Sequence, residues 1–261
     1  MIIQKFFFTN FPKQYGKFLA VKGYILLPLK ILLFKFKFNI FFGNKDQDKW
    51  VVKEIMKFKK NGFFLDLAAT DGIHENNTFF LEKRLNWHGI CIEPNRKYFE
   101  KLKKNRTASC FCEVIDEKEE EIDFFPNKGI GGIVGENYDN NFIKRKKILS
   151  NAYEKNFIEK RKTKKIESIL VLAKAPTNID YFSLDVEGSE TGVIKSFPFN
   201  KYKINCITIE RPTPEINKIL FKNDYIFVKN FKVDSFYIHK DMQNKINIKL
   251  EKFSQIEKKK W

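Results

Sequence analysis

Three motifs that contain carboxylates each follow an apolar run typical of a buried β-strand. Asp66 to Gly72 is a turn of small and polar residues, and Glu93 comes about 20 positions after that turn. Asp185 to Glu190 places three carboxylates within six residues. Because the carboxyl ends of parallel strands share one edge of an open sheet, and ligands bind there, we expect the three motifs to converge.

Each motif suits a different part of one ligand. Small residues let a ligand approach backbone amides, and Gly72 can adopt a backbone conformation that is barred to other residues. Glu93 stands where a carboxylate accepts hydrogen bonds from the two hydroxyls of a nucleoside ribose. Clustered carboxylates such as Asp185 and Glu187 are costly unless cations, donors or substrate surround them. Simpler interpretations exist for two of these residues. Glu93 could be a solvated loop carboxylate, and Glu190 could only stabilise the start of a helix.

The elements that must position these motifs alternate regularly from Trp50 onward. Strand, loop and helix repeat in that order, which predicts an α/β fold with a mostly parallel sheet covered by helices. The predicted strands are 63–67, 89–93, 109–115, 121–125, 179–185, 206–210, 225–231 and 235–239. The predicted helices are 50–60, one that begins at Thr78 and is capped by Asn77, one that begins at Pro94, and 168–173, 190–196 and 215–221. Residues 129–135 are predicted to be a loop, and 139–165 a lysine-rich surface insertion.

Residues 1–45 differ from the remainder, which we predict to be a single domain over 46–261. The apolar run from Tyr24 to Phe34 is interrupted by Pro28 and Lys30, and it is shorter than the roughly 20 residues that a membrane-spanning helix needs. Flanking lysines and phenylalanines suit a segment that lies on a membrane surface. Packing of this segment on the domain is an equally good interpretation.

The formal net charge of +17 first suggests a polyanionic partner. The lysines, however, are scattered along the whole chain, whereas a nucleic-acid footprint forms a dense stripe. We therefore predict no nucleic-acid partner. The four cysteines form no Cys-x-x-Cys pair, which favours free thiols in a reducing cytoplasm, and the three histidines are too scattered to predict a metal site.

Taken together, the motifs resemble those of the FkbM-type methyltransferase family. The matching pieces are the turn from Asp66 to Gly72, the pair Asn77-Thr78, the run Asn86-Trp87-His88-Gly89, the triplet Glu93-Pro94-Asn95 and the acidic motif with Asp185, Glu187, Gly188 and Glu190. Two positions depart from the family pattern, because Ala68 stands where glycine is usual and Asn76 where serine is usual. The likeness extends over residues 62–240.

The resemblance implies a Rossmann-like class I methyltransferase sheet, mostly parallel with an antiparallel last strand and with helices on both faces. It also implies S-adenosylmethionine as cofactor and methylation of a hydroxyl on a sugar, a polysaccharide precursor or a small molecule. Asp185 and Glu187 would then be catalytic, facing the transferred methyl and accepting the hydroxyl proton. The implied cofactor-binding residues are Asp66, Ala68, Asp71 and Gly72 at the methionine end, Glu93 at the ribose, Asp116 at the adenine edge, and Asn77 and Thr78.

Other functions remain as alternatives. An NAD(P)-dependent oxidoreductase shares the ribose carboxylate, but it is expected to carry Gly-x-Gly-x-x-Gly directly after the first strand, and the glycines at 129–135 do not match. A methyltransferase acting on nucleic-acid bases would usually have an Asn- or Asp-Pro-Pro-aromatic loop where this chain has Asp185-Val-Glu-Gly. A non-catalytic, membrane-associated protein that retains the fold is favoured by Ala68 and by the Phe/Lys-rich N-terminus.

Overall fold

The computed structural model describes residues 26–43, 46–127 and 130–257. The chain divides into two compact units, one ending at Phe41 and the other beginning at Phe42. In the described part of the first unit, residues 26–35 form helix α1, and the Lys30 ammonium donates to the Phe41 carbonyl at 3.4 Å. The start of the predicted apolar run, at Tyr24, lies outside the described residues. Among the residues that are described, no helix has the length and apolarity to cross a membrane.

The second unit is an α/β domain built on two sheets. Its strands are β1 Phe63–Leu67, β2 His88–Ile92, β3 Ser109–Phe111, β4 Val114–Ile115, β5 Glu121–Phe125, β6 Gly132–Val134, β7 Glu159–Lys164, β8 Asn178–Leu184, β9 Lys203–Glu210, β10 Tyr225–Phe231 and β11 Asp234–His239. Its helices are α2 Gln47–Trp50, which continues as a π-helical turn over Val51–Ile55, then α3 Phe79–Leu85, α4 Arg96–Asn105, α5 Phe142–Glu154, α6 Ile166–Leu172, α7 Glu190–Ser196, α8 Pro214–Lys222 and α9 Lys240–Gln243.

The main sheet has the order β10-β11-β9-β8-β1-β2-β3. Strands β3, β2, β1, β8 and β9 pair in parallel, and β11 runs antiparallel to both β9 and β10. This confirms the predicted mostly parallel sheet with an antiparallel last strand. From β1 the chain builds outward to β3 and then returns on the other side of β1 as β8, so the strand order reverses between β1 and β8. Open α/β sheets bind ligands at such a reversal.

The core explains why these apolar runs become central strands. Leu65, Phe182 and Ile207, from β1, β8 and β9, are completely buried in one large apolar cluster. The same cluster includes Ile169 from α6, Ile194 from α7 and Leu220 from α8, which therefore cover one face of the sheet. Burying these side chains stabilises the fold, because each Å² of apolar surface removed from water contributes about 25 cal/mol.

The smaller sheet, ordered β4-β7-β5-β6, is where the sequence predictions were wrong. The single strand predicted over 109–115 is two strands, because β3 pairs with β2 in the main sheet and β4 pairs with β7 in the smaller one. The predicted loop at 129–135 contains β6, and the predicted insertion at 139–165 contains α5 and β7. The charged side chains of β7 gave no apolar pattern from which a strand could be predicted. In the structure one of them forms a cross-strand ion pair, Lys160 Nζ to Asp123 Oδ1 at 2.7 Å.

Helix ends were predicted less well than helix positions. The helix predicted over 50–60 spans 47–55, because Lys57 and Phe58 adopt left-handed backbone conformations with φ of 45° and 59°. Thr78, not Asn77, occupies the cap position of α3. Pro94 lies outside α4, whose cap is Asn95.

Candidate cofactor and active site

The predicted motifs lie at one edge of the main sheet. Leu67 at the end of β1 pairs with Ile92 at the end of β2 and with Leu184 at the end of β8. Leu184 in turn pairs with Ile209 near the end of β9. Because the four strands are parallel and in register, the residues that follow them emerge side by side. The turn at 66–72, Glu93, Asp185 and Glu210 therefore surround the point where the strand order reverses.

The turn after β1 reverses direction through three left-handed residues. Ala68, Thr70 and Gly72 have φ of 64°, 51° and 79°. Gly72 is also fixed by packing, since a Cβ there would come within 2.7 Å of Arg106 Cγ and 2.8 Å of Leu102 Cδ1. Glycine is therefore needed at this position for two reasons: its left-handed backbone conformation and its close packing against Leu102 and Arg106.

The conformation of Ala68 predicts that the substitution Ala68→Gly is stabilising. A left-handed conformation costs a residue with a Cβ roughly 1–2 kcal/mol, and glycine avoids that cost while losing about 0.5–1 kcal/mol more on folding. We expect the free energy of unfolding to rise by about 0.5–1 kcal/mol in urea titrations. The matched control is Ala69→Gly, because the buried Ala69 next to it has an ordinary φ and should lose stability. A loss of stability in Ala68→Gly as large as in the control would contradict the strain argument.

Glu93 is buried, with 5% of its surface exposed, directly after β2. Its Oε2 accepts a hydrogen bond from the Thr70 amide at 2.9 Å, and its Oε1 accepts one from the Asn95 amide at 2.8 Å. Burial raises the pKa of Glu93 to about 7, despite those two hydrogen bonds. Each carboxylate oxygen retains a further lone pair, so the group can still accept two hydroxyl donors.

Asp66 and Thr78 belong to a buried polar network. Asp66 Oδ2 accepts from Thr78 Oγ1 at 2.6 Å and from Asn76 Nδ2 at 2.9 Å. The Arg106 guanidinium donates to Thr78 Oγ1 at 2.9 Å and to Glu82 at 2.8 Å. Thr78, one of the predicted cofactor-binding residues, is completely buried, and its hydroxyl is bonded on both sides. Its role in the structure is to hold Asp66 and the turn in place.

Asp71, predicted at the methionine end, and Asn77, predicted to bind the cofactor, differ in their surroundings. Asp71 Oδ1 accepts from the amides of Ile73 and His74, at 3.0 and 2.8 Å, so this oxygen stabilises the turn itself. Asn77 donates from Nδ2 to Ser183 Oγ at 3.0 Å. Its Oδ1 is buried and accepts no hydrogen bond from any described residue. A Cβ on Gly43 would lie 2.6 Å from that oxygen, so the backbone of Gly43 packs directly against it and a larger residue would not fit.

The acidic motif after β8 meets a further carboxylate from β9. Oxygens of Asp185, Glu187 and Glu210 lie within 4.8 Å of one another. Arg211 Nη2 reaches Glu210 at 2.6 Å, Glu187 at 3.3 Å and Asp139 at 3.4 Å. Burial, with Glu210 as the next contributor, raises the pKa of Glu187 to about 7. Such a group of oxygens can accept a proton from a hydroxyl, and three carboxylates this close could also hold a hard divalent cation.

Asp116 follows a different strand from the one predicted for it. It was expected to close the third strand of the main sheet, but that strand ends at Phe111, and Asp116 follows β4 in the smaller sheet. There its carboxylate accepts a hydrogen bond from Tyr138 and packs so tightly against α7 that a Cβ on Gly192 would overlap its Oδ1. Asp116 therefore joins the smaller sheet to α7, the helix that begins at Glu190, and its contact with the adenine edge stays a prediction.

Glu210, Arg211 and Asp139 were not selected from the sequence. Glu210 could have been found, because it ends the strand predicted at 206–210 and the rule applied to Glu93 holds for it equally. Arg211 then follows as its neighbour. Asp139 had no signal, since it lies in the segment interpreted as a surface insertion.

Comparisons with known proteins match most of the sequence to a methyltransferase family. A family model described as "Methyltransferase FkbM domain" matches residues 66–240. Among solved structures, a methyltransferase from Pyrococcus furiosus is 12% identical, with a TM-score of 0.35, over 74% of this chain and 80% of that one. A precorrin-6y C5,15-methyltransferase from Geobacter metallireducens GS-15 is 11% identical, with a TM-score of 0.36, over 73% of this chain and 85% of that one. No curated protein matches the chain.

Proposed function

The chain belongs to the FkbM methyltransferase family, and on that premise we propose that it transfers the methyl group of S-adenosylmethionine to a hydroxyl of a carbohydrate or other small molecule. The observation that carries the proposal is the order of groups across three adjacent strands. Glu93 follows β2, the left-handed turn follows β1, and Asp185 follows β8. An extended cofactor laid across these strand ends would have its ribose at Glu93, its methionine at the turn and its reacting methyl near Asp185.

The residues at this edge fit such a cofactor. Glu93 can accept both ribose hydroxyls, and the unused Asn77 Oδ1 can accept from an ammonium group. The cofactor supplies a methyl already activated on a positively charged sulfur, so the protein mainly supplies proximity and orientation. The carboxylates at the end of β8 would favour that positive charge nearby and would take the proton that leaves the acceptor hydroxyl.

The substitution Glu93→Gln tests the cofactor half of the proposal. We expect it to weaken S-adenosylmethionine binding about tenfold or more, because an amide replaces one oxygen acceptor by a donor. Since the pKa of Glu93 is raised to about 7, the group gains its charge as pH rises from 6 to 8. The affinity of the parent protein should therefore increase over that range, and Glu93→Gln should lack this increase. Calorimetric titrations at the two pH values measure both effects.

The matched control is Asp180→Asn. Asp180 is equally buried, and it accepts from the Phe63 amide at 3.0 Å and from Lys59 at 2.6 Å, but it stands near the opposite edge of the sheet. Both substitutions should lower stability, and only Glu93→Gln should lower cofactor affinity. Unchanged affinity in Glu93→Gln would remove Glu93 from the cofactor site. Failure of the parent protein to bind S-adenosylmethionine would overturn the proposed function itself.

A further inference from the structure

A cavity of about 490 Å³ opens at the edge of the main sheet opposite the proposed methyl-transfer site. Asn178 and Lys203, the first residues of β8 and β9, line it, whereas Asp185 and Glu210 stand at the far ends of the same strands. Seven residues of β8 correspond to about 20 Å. The cavity is therefore separate from the acidic cluster, and its volume lies within the range of small-molecule sites.

Four lysines from three segments face this cavity. Lys57 and Lys59 come from the turn after α2, Lys203 from β9, and Lys245 from the chain after α9. Lys59 is paired with Asp180 at 2.6 Å, and Lys203 with Asp241 at 2.8 Å. Lys57 and Lys245 form no ion pair with any residue that the structure describes. Asp180 is the single carboxylate among the described residues that line the cavity, so these residues give it a positive excess.

The lysines stand on a fixed apolar floor, which distinguishes the cavity from a charged patch of surface. Ile55, Met242 and Ile246 line it and are each more than nine-tenths buried. Asp180, itself buried, is tied to the sheet by hydrogen bonds from the Phe63 amide and Asn205 Nδ2. Through its ion pair with Lys59, Asp180 also holds that lysine at the wall of the cavity. A ligand could thus place an apolar or neutral body on the floor and its anionic groups among the ammonium groups.

We propose that this cavity binds a small organic molecule that carries two or more phosphate groups. Lysine ammonium groups bind phosphate as compact positive charges. Lys57 and Lys245, which form no ion pair with a described carboxylate, are the two that would each meet a phosphate. A doubly phosphorylated ligand satisfies both at once. Binding here requires neither the cofactor nor the acidic cluster, so the proposal stands apart from the proposed methyl transfer.

The test is a calorimetric titration of the full chain with fructose 1,6-bisphosphate in 150 mM salt, with fructose as the uncharged reference. We expect saturable one-to-one binding of the bisphosphate in the millimolar range or tighter, and none of fructose. The double variant Lys57→Glu/Lys245→Glu should bind at least tenfold more weakly. The matched control, Lys218→Glu/Lys222→Glu, makes the same change in net charge on α8 and should stay within about twofold of the parent.

Two results would overturn the proposal: no saturable binding by the parent, or an equal loss in both double variants, which would indicate an effect of total charge. Thermal unfolding of each variant shows whether it is folded. A titration with S-adenosylmethionine keeps the two proposals apart, because the Lys57→Glu/Lys245→Glu variant should bind that cofactor as the parent does.

Discussion

Replacing Arg106 by methionine is expected to lower the free energy of unfolding by about 3–5 kcal/mol. None of the Arg106 side chain is exposed, and its ion pair with Glu82 at 2.8 Å is equally buried. The guanidinium also donates to Asn76 Oδ1 at 3.0 Å and to Thr78 Oγ1 at 2.9 Å, and these two side chains hold Asp66. Without Arg106, Glu82 keeps only its contact with Lys83, at 2.7 Å, and the buried carboxylate of Asp66 loses the cation that acts on it. Urea denaturation followed by circular dichroism measures the loss.

Two further variants isolate the cause. Arg96→Met removes an arginine that is 73% exposed and 3.7 Å from Glu159, and it should change stability by less than about 0.5 kcal/mol. The double variant Glu82→Gln/Arg106→Met should lose less than the sum of the two single losses, because both substitutions remove the same buried ion pair. A loss below about 1 kcal/mol in Arg106→Met would mean that the network is not needed to hold the turn.

The network also shows which part of the site could be predicted from the sequence and which part could not. The turn, Glu93 and Asp185 were predictable because each follows an apolar run, and the rule for parallel strand ends then brings them together. Arg106 gave no such signal. It follows a helix that contains several lysines, and only the fold shows that it turns inward beneath Gly72.

The smaller sheet is the part of the fold that local sequence patterns failed to predict. Five of the six residues of β7 are charged, and no apolar pattern predicts its pairing with β4 and β5 through backbone hydrogen bonds. Missing it placed Asp116 on the wrong sheet and concealed Asp139, which approaches Arg211 only through the folded insertion. Local pattern thus predicted the central strands, whose burial is encoded in apolar runs. It failed where long-range pairing decides the structure.

The substitution Asp185→Asn is expected to reduce the rate of methyl transfer by about 10²–10⁴-fold, the range typical of a lost general base. The amide keeps the size of the side chain but cannot accept the hydroxyl proton. Affinity for S-adenosylmethionine should stay within about twofold, because the proposed ribose contact at Glu93 is untouched. Isotopic methyl transfer over a panel of hydroxyl acceptors measures the rate. Asp224→Asn, in an exposed carboxylate paired with Lys240, is the control and should leave the rate unchanged.

Comparison with Glu187→Gln shows which carboxylate takes the proton. Asp185 directly follows β8, beside the turn that would hold the cofactor, whereas Glu187 lies two residues further out and contacts Arg211 at 3.3 Å. Although the pKa of Glu187 is raised to about 7, proton transfer needs a base within reach of the hydroxyl, and Asp185 stands nearer the proposed position of the methyl group. The loss should therefore be larger for Asp185→Asn. If both variants lose activity equally and excess Mg²⁺ restores each, the group of three carboxylates acts instead by holding a cation. Full activity in Asp185→Asn would remove this residue from the catalytic step.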